Sequence, residues 1–307
     1  MGRRIGRRVT VVAGIITMVG VLAVLAACER GPDDKNTDPA LRDNVDAMSR
    51  EHADDAGTPS DGAAIPTERA VVAEILPYAE VNEELVYGHF VFPSDMVDPL
   101  PGLIVVHEWW GLNDGVRAMA DRLAAEGYIV LAVDLFGGKT AELPPQAREL
   151  MLAALQKPEF AEANLRQAYE FVRDTGGAPR IGSLGWCFGG AWALNAALML
   201  PDDLDAAVIY YGQVPDDEER LAPLNAPILG LFAENDRGIP VESVKGFEQA
   251  LENLGKDYEI EIYPGVGHAF ANPSGNSYNA EVAAQAWDRT VTFLHERLAS
   301  GADNADN

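Results

Sequence analysis

Cys187 lies in Ile181-Gly-Ser-Leu-Gly185-Trp-Cys187-Phe-Gly189-Gly190, a run that fits G-x-C-x-G. Glycines two residues before and two after allow a turn too sharp for neighbouring side chains. With a strand before it and a helix after it, such a turn holds the thiol clear of the sheet, at a helix N-terminus. Free amides and the helix dipole there favour a thiolate and a developing oxyanion. Ser183 is the rival nucleophile, but Ile181 occupies the place where its leading glycine should be. A buried cysteine in a glycine-rich helix start would give the same local pattern, so the partners decide. A nucleophile needs a base and a group to orient that base. On elbows of this kind the acid and then the histidine follow in the chain. The histidines after Cys187 are His268, in Tyr263-Pro-Gly-Val-Gly-His268-Ala-Phe270, and His295, in an amphipathic stretch that reads as surface. His268 is where a base should hang. Asp236, in Phe232-Ala-Glu-Asn-Asp236-Arg-Gly, is placed to accept its other ring N–H, with Glu234 and Asp202–Asp205 as competitors. One oxyanion amide should be Phe188 N–H, and the second should come from the loop Glu108-Trp109-Trp110-Gly111. Glu108 could be an acid, a gate or an ion-pair partner of Arg117.

The elements that would position these residues follow from apolar periodicity. Residues 71–81 and 84–92 alternate apolar and polar, predicting an antiparallel pair at a sheet edge. Gly102–His107, Tyr128–Val133, Ile181–Trp186, Ala206–Tyr211 and Pro227–Ala233 read as strands buried on both faces. Helical spacing occupies 116–126, 145–156, 160–175, 188–200, 241–254 and 280–299, and a last strand covers 258–263. Alternation of strand and helix predicts an α/β class, one domain over 69–300, with a mostly parallel sheet, helices on both faces and the site at the C-terminal strand ends. Residues 301–307 read as a disordered tail.

The chain carries 23 Lys+Arg against 48 Asp+Glu, a formal net charge of −25 over 307 residues. Such a body repels nucleic acid, which is excluded as a partner. Residues 1–28 read as an export signal: a basic MGRRIGRR, an apolar run from Val9 to Ala27, then Leu25-Ala26-Ala27-Cys28. Small residues before a cysteine resemble a lipoprotein box, which would make Cys28 a lipid anchor and the membrane a partner through it. The domain would then be exported to the bacterial cell envelope and lie outside the cytoplasm. Residues 29–68 are rich in Asp, Pro, Gly and Ala, and read as a disordered acidic tether. His52 falls in this tether and is given no role. Neither CxxC nor HExxH occurs, so no metal or cofactor is expected.

Five motifs in order resemble the dienelactone hydrolase family over about 70–299: His107-Glu108-Trp109-Trp110-Gly111-Leu112-Asn113, Asp134-Leu-Phe136-Gly-Gly138, Gly185-Trp-Cys187-Phe-Gly-Gly190, Asp236, and Gly267-His268-Ala-Phe270. The resemblance implies an α/β-hydrolase fold and hydrolysis of a small ester or lactone by a Cys187–His268–Asp236 triad through a thioester. It also implies Glu108 in contact with the resting thiol, and oxyanion amides from Trp109 and Phe188. Arg148 is the candidate for a second carboxylate-binding arginine. The position four residues past the histidine, where the family's founding enzymes carry an arginine, holds Asn272. Trp110, Phe136 and Phe270 lie near the strand ends and are candidates to line an aromatic pocket. The rivals are other acyl-transfer or dehalogenase chemistry on this scaffold, and a non-catalytic tethered binding protein.

Overall fold

The computed structural model describes residues 39–59, 67 and 69–298. Cys28, the export signal and the 301–307 tail lie outside the described residues. Among the described residues no helix is long and apolar enough to cross a membrane.

Among the described residues eight strands form one sheet: β1 (Val71–Val81), β2 (Glu84–Pro93), β3 (Gly102–Val106), β4 (Ile129–Val133), β5 (Ile181–Trp186), β6 (Ala206–Tyr210), β7 (Ile228–Ala233) and β8 (Tyr258–Tyr263). Their order is β1-β2-β4-β3-β5-β6-β7-β8, with antiparallel pairing only at β1–β2 and β2–β4. Strands β3 to β7 are buried at every residue, which is why they read as unbroken apolar runs. The helices are α1 (Pro39–Glu51), α2 (Asp114–Ala125), α3 (Pro144–Leu155), α4 (Pro158–Asp174), α5 (Phe188–Met199), α6 (Glu218–Leu221), α7 (Val241–Asn253) and α8 (Ala280–Leu298). Local chemistry fixes several starts. Asn113 caps α2 by accepting the Val116 N–H at 3.1 Å, and prolines open α3 and α4.

Chain order reverses at β3. One crossover leads from it to β4, and a second, through α3 and α4, returns to β5 on the other side. Loops leaving β3 and β5 therefore diverge and open a crevice at their C-terminal ends. The parallel register pairs Val106 with Gly185, setting the loop after β3 beside the turn after β5.

One expectation is corrected here. Within the supposed 29–68 tether, residues 39–51 form α1, which packs against α3. Composition failed to flag it because a helix this short gains its stability from tertiary contacts rather than from its own propensity.

Candidate active site

Cys187 turns the chain between β5 and α5 with φ of +58°, a conformation that side-chain-bearing residues rarely adopt. Its N–H is held by the Tyr210 carbonyl at 2.9 Å. The flanking glycines are required by contact. A Cβ on Gly185 would fall on the Gly189 carbonyl, and one on Gly189 on the Val106 carbonyl. Phe188 opens α5, so its N–H belongs to the first turn and has no intrahelical acceptor. Ser183 is buried in β5 and donates to the Ala193 carbonyl at 2.9 Å, a structural bond away from the elbow.

Asp236 follows β7 and His268 follows β8, neighbouring strands. His268 Nδ1 donates to Asp236 Oδ2 at 2.7 Å, with both residues buried. Asp236 is fixed in turn by the Gly238 and Ile239 N–H groups at 2.9 and 2.8 Å on Oδ1. Its competitors are elsewhere. Glu234 accepts the Gly265 N–H, and Asp205 caps the opposite end of the sheet by accepting the Ile181 N–H. His268 Nε2 is buried and makes no completed hydrogen bond, yet the ring acts on the thiol. Burial alone would raise the Cys187 pKa, but the nearby His268 charge, with a smaller contribution from His52, outweighs it and brings it down. Burial likewise would lower His268, and the Asp236 and Cys187 charges raise it well above the usual imidazole range. The group thus favours a thiolate–imidazolium pair.

His107 explains how the loop after β3 is set. Its Nδ1–H donates to the Glu108 carbonyl at 2.6 Å, and its Nε2 accepts the Leu135 N–H at 3.1 Å. Complete burial lowers its pKa, so it works as a neutral staple. Asp134 stitches the neighbouring Leu-Phe-Gly-Gly turn by accepting the Phe136 and Gly138 N–H groups. Glu108 accepts from Asn272 Nδ2 at 2.6 Å and from the Tyr211 hydroxyl at 3.3 Å, and burial raises its pKa. Arg117 is not its partner, for it pairs with Asp114.

The dienelactone hydrolase family model matches residues 87–298. The chain belongs to the dienelactone hydrolase family. It is a hydrolase of that family. A Saccharolobus solfataricus relative, provisionally named a carboxymethylenebutenolidase, is 34% identical and aligns over 64% of this chain and 90% of its own length. An Escherichia coli K12 relative of the same provisional name is 32% identical, over 66% of this chain and 80% of its own. The crystal structure of a provisional dienelactone hydrolase from Klebsiella pneumoniae superposes with a TM-score of 0.67 at 28% identity, covering 74% of this chain and 99% of that one.

Residues 39–59 stand before the family match, and they cover the site. Met48 Sδ lies 3.4 Å from Cys187 Sγ. Asp46 pairs with Arg148 at 2.7 Å, so the arginine expected to bind substrate is engaged by the chain itself. His52, which the sequence reading left without a role, is 3% exposed, with its ring 5.3 Å from that of His268 and 5.0 Å from that of Trp109. The recurrence of Val45, Met48 and His52 at helical spacing was the available signal.

A cleft of about 470 Å³, counted to its open mouth, reaches Glu108, Tyr211 and Asn272 and is walled by Trp110 and by Gly57 and Pro59 of the N-terminal segment. Trp110 is thus where a pocket residue should be. Phe136 and Phe270 are not: Phe136 packs on His107 and Phe188, and Phe270 is fully buried against Tyr211 and Tyr263. Among the described residues two groups could geometrically hold a metal, His52–Cys187–His268 and Glu51–Asp236–His268, each with donor atoms within 4.8 Å of one another. Both draw on His268, whose Nδ1 is committed to Asp236, so it could offer only Nε2.

Proposed function

We propose that this hydrolase cleaves small carboxylic esters or lactones with Cys187 as nucleophile, His268 as proton relay and Asp236 as its orienting carboxylate. The supporting observation is the 2.7 Å Nδ1–Asp236 bond, which leaves His268 Nε2 for a thiol held on a strained elbow. Thiolate attack forms the C–S bond, and the oxyanion is received by the Phe188 and Trp109 N–H groups. The C–O bond then breaks, and the imidazolium proton goes to the leaving alkoxide. Neutral His268 next takes a proton from water as hydroxide adds to the thioester. C–S cleavage releases the acid and restores the thiolate.

Arg148, the candidate for a substrate carboxylate, is engaged with Asp46, and Asn272, at the position of the founding enzymes' arginine, is engaged with Glu108. That favours uncharged substrates over carboxylate-bearing ones. Cys187→Ala should lower turnover of aryl esters and lactones by at least about 10³-fold, the scale seen on removing a triad nucleophile. An acyl adduct on the Cys187 peptide, seen by mass spectrometry during turnover, would support the thioester. Undiminished turnover by the alanine variant would remove Cys187 from the mechanism.

Export and lipid anchoring through Cys28 belong to the same proposal, supported by the basic start, the apolar run and the Leu-Ala-Ala-Cys28 box. Palmitate labelling of cells expressing the full chain should depend on Cys28 and vanish in Cys28→Ser. Labelling that persists in the variant argues against the anchor.

A further inference from the structure

The turn after α1 brings a second imidazole–carboxylate pair to the thiol. His52 Nδ1 donates to Asp55 Oδ2 at 2.6 Å, and Asp55 Oδ1 accepts the Asn276 N–H at 2.9 Å. His52 Nε2 is buried and completes no hydrogen bond. The donor atoms of His52, His268 and Cys187 lie within 4.8 Å of one another. This repeats, on a separate part of the chain, the arrangement of His268 with Asp236.

The placement is built by long-range ties rather than by one local contact. Glu51 accepts the Arg237 N–H at 2.8 Å, Asn276 Nδ2 donates to the Asp54 carbonyl at 2.9 Å, and Asn113 Nδ2 donates to the Gly57 carbonyl at 2.9 Å. The Gly57 N–H in turn donates to the Glu142 carbonyl at 3.0 Å. These anchors belong to the turn after β7, the loop after β8, the loop before α2 and the loop before α3. All four follow the C-terminal ends of strands, β7, β8, β3 and β4 respectively.

We propose that His52 is a catalytic residue: its imidazolium, held by Asp55, faces Cys187 Sγ and keeps the sulfur as thiolate while His268 relays protons. The proposal rests on Cys187 being the nucleophile. Burial and the neighbouring His268 charge pull the His52 pKa down, but the bond to Asp55 and the nearness of the Cys187 sulfur outweigh them, leaving it at about 9 and the ring charged at neutral pH. Two imidazoliums are then offset by Asp236, Asp55 and the thiolate. The other groups that act on the sulfur are Glu108, a buried carboxyl whose charge opposes the thiolate, and Tyr211, whose phenol burial keeps neutral. Met48 adds an apolar thioether, its Sδ 3.4 Å from the sulfur. In the reaction cycle His52 keeps its proton. When Sγ bonds to carbon its charge passes to the oxyanion, and when the C–S bond breaks the thiolate returns to a waiting cation.

The test uses the full chain with His52→Gln and Asp55→Asn. Iodoacetamide alkylation is followed against pH on the Cys187 peptide by mass spectrometry, alongside kcat/KM for an aryl ester. The midpoint of the pH profile reports thiolate formation independently of how easily the reagent reaches the sulfur. His52→Gln should raise that midpoint by about one pH unit and lower kcat/KM at neutral pH about ten- to a hundredfold, the scale of one hydrogen bond to a charged group. Asp55→Asn keeps the ring and removes the charge behind it, so it should shift both in the same direction by less. It also decides the matter if His52→Gln does not fold. A midpoint unmoved in the folded variants overturns the proposal. If that happens while Cys187→Ala is inactive, the triad stands and His52 alone is excluded. An active Cys187→Ala removes the triad itself.

Discussion

Two His–Asp pairs meet at one sulfur, and their supports differ. His268 and Asp236 hang from the ends of adjacent strands, and Asp236 is fixed by two backbone N–H groups besides the imidazole. His52 and Asp55 are three residues apart on a turn after α1, and their position depends on a few side-chain and backbone bonds to loops. The sheet sets the first pair with the rigidity of a packed core. The second is set by a segment that docks on that core. A proton relay must keep its geometry through two chemical steps, so it belongs on the sheet. A stationary charge tolerates looser support, because electrostatic attraction falls off more gently with distance than hydrogen-bond geometry does.

The largest effect should come from the sheet-borne pair. Asp236→Asn removes the negative charge behind His268 and offers an amide where a carboxylate accepted Nδ1–H, so the ring loses its orientation as well. A fall in kcat of about 10³–10⁴-fold is expected, as for a triad whose orienting carboxylate is neutralised. The pH dependence has a definite sign. On the proposed mechanism activity needs thiolate and imidazolium together, so it should appear as pH rises through the lowered Cys187 pKa and disappear as pH rises through the raised His268 pKa. Without Asp236 the imidazolium is less stable, so the upper limb of kcat/KM should move to lower pH. Asp55→Asn should instead move the lower limb, upward. If both variants move the same limb by the same amount, the division of labour between the pairs is wrong.

The sheet-borne half of the site was legible in the sequence, and the docked half was not. Strands buried on both faces leave unbroken apolar runs, and the elbow leaves glycines at fixed offsets, so Cys187, Asp236 and His268 could be placed after particular strands. The 29–68 segment was judged by its average composition, which hides a 13-residue helix whose apolar side includes Val45 and Met48. That one misreading carried two others with it. His52 was not seen to come beside His268, and Arg148 was offered to a substrate while its partner Asp46 lay unnoticed in the same segment. The aromatics failed for a different reason. Phe136 and Phe270 sit near strand ends as expected, but residue type does not say which side of the loop a ring takes. Both pack against neighbouring rings, and of the three candidates it is Trp110 that stands in the cleft wall, beside Trp186 and Tyr211.

A smaller perturbation separates docking from chemistry. Gly57 lies where the segment crosses the loop before α3, and a Cβ there would fall on the Ala141 carbonyl and 2.7 Å from the Trp110 ring. Gly57→Ala should therefore unseat the segment while leaving His52 and Asp55 chemically intact. Global stability should change little, by about 1–3 kcal/mol at most for such overpacking, because the sheet is untouched. Activity should fall about as far as in His52→Gln, and the double variant should lose little more than either alone, since both remove the same charge from the thiol. Losses that multiply in the double variant would mean that the segment and His52 act independently. An activity gain in Gly57→Ala would mean that the segment serves chiefly to cover Cys187, with Met48 as its plug, and that the second dyad is incidental to the reaction.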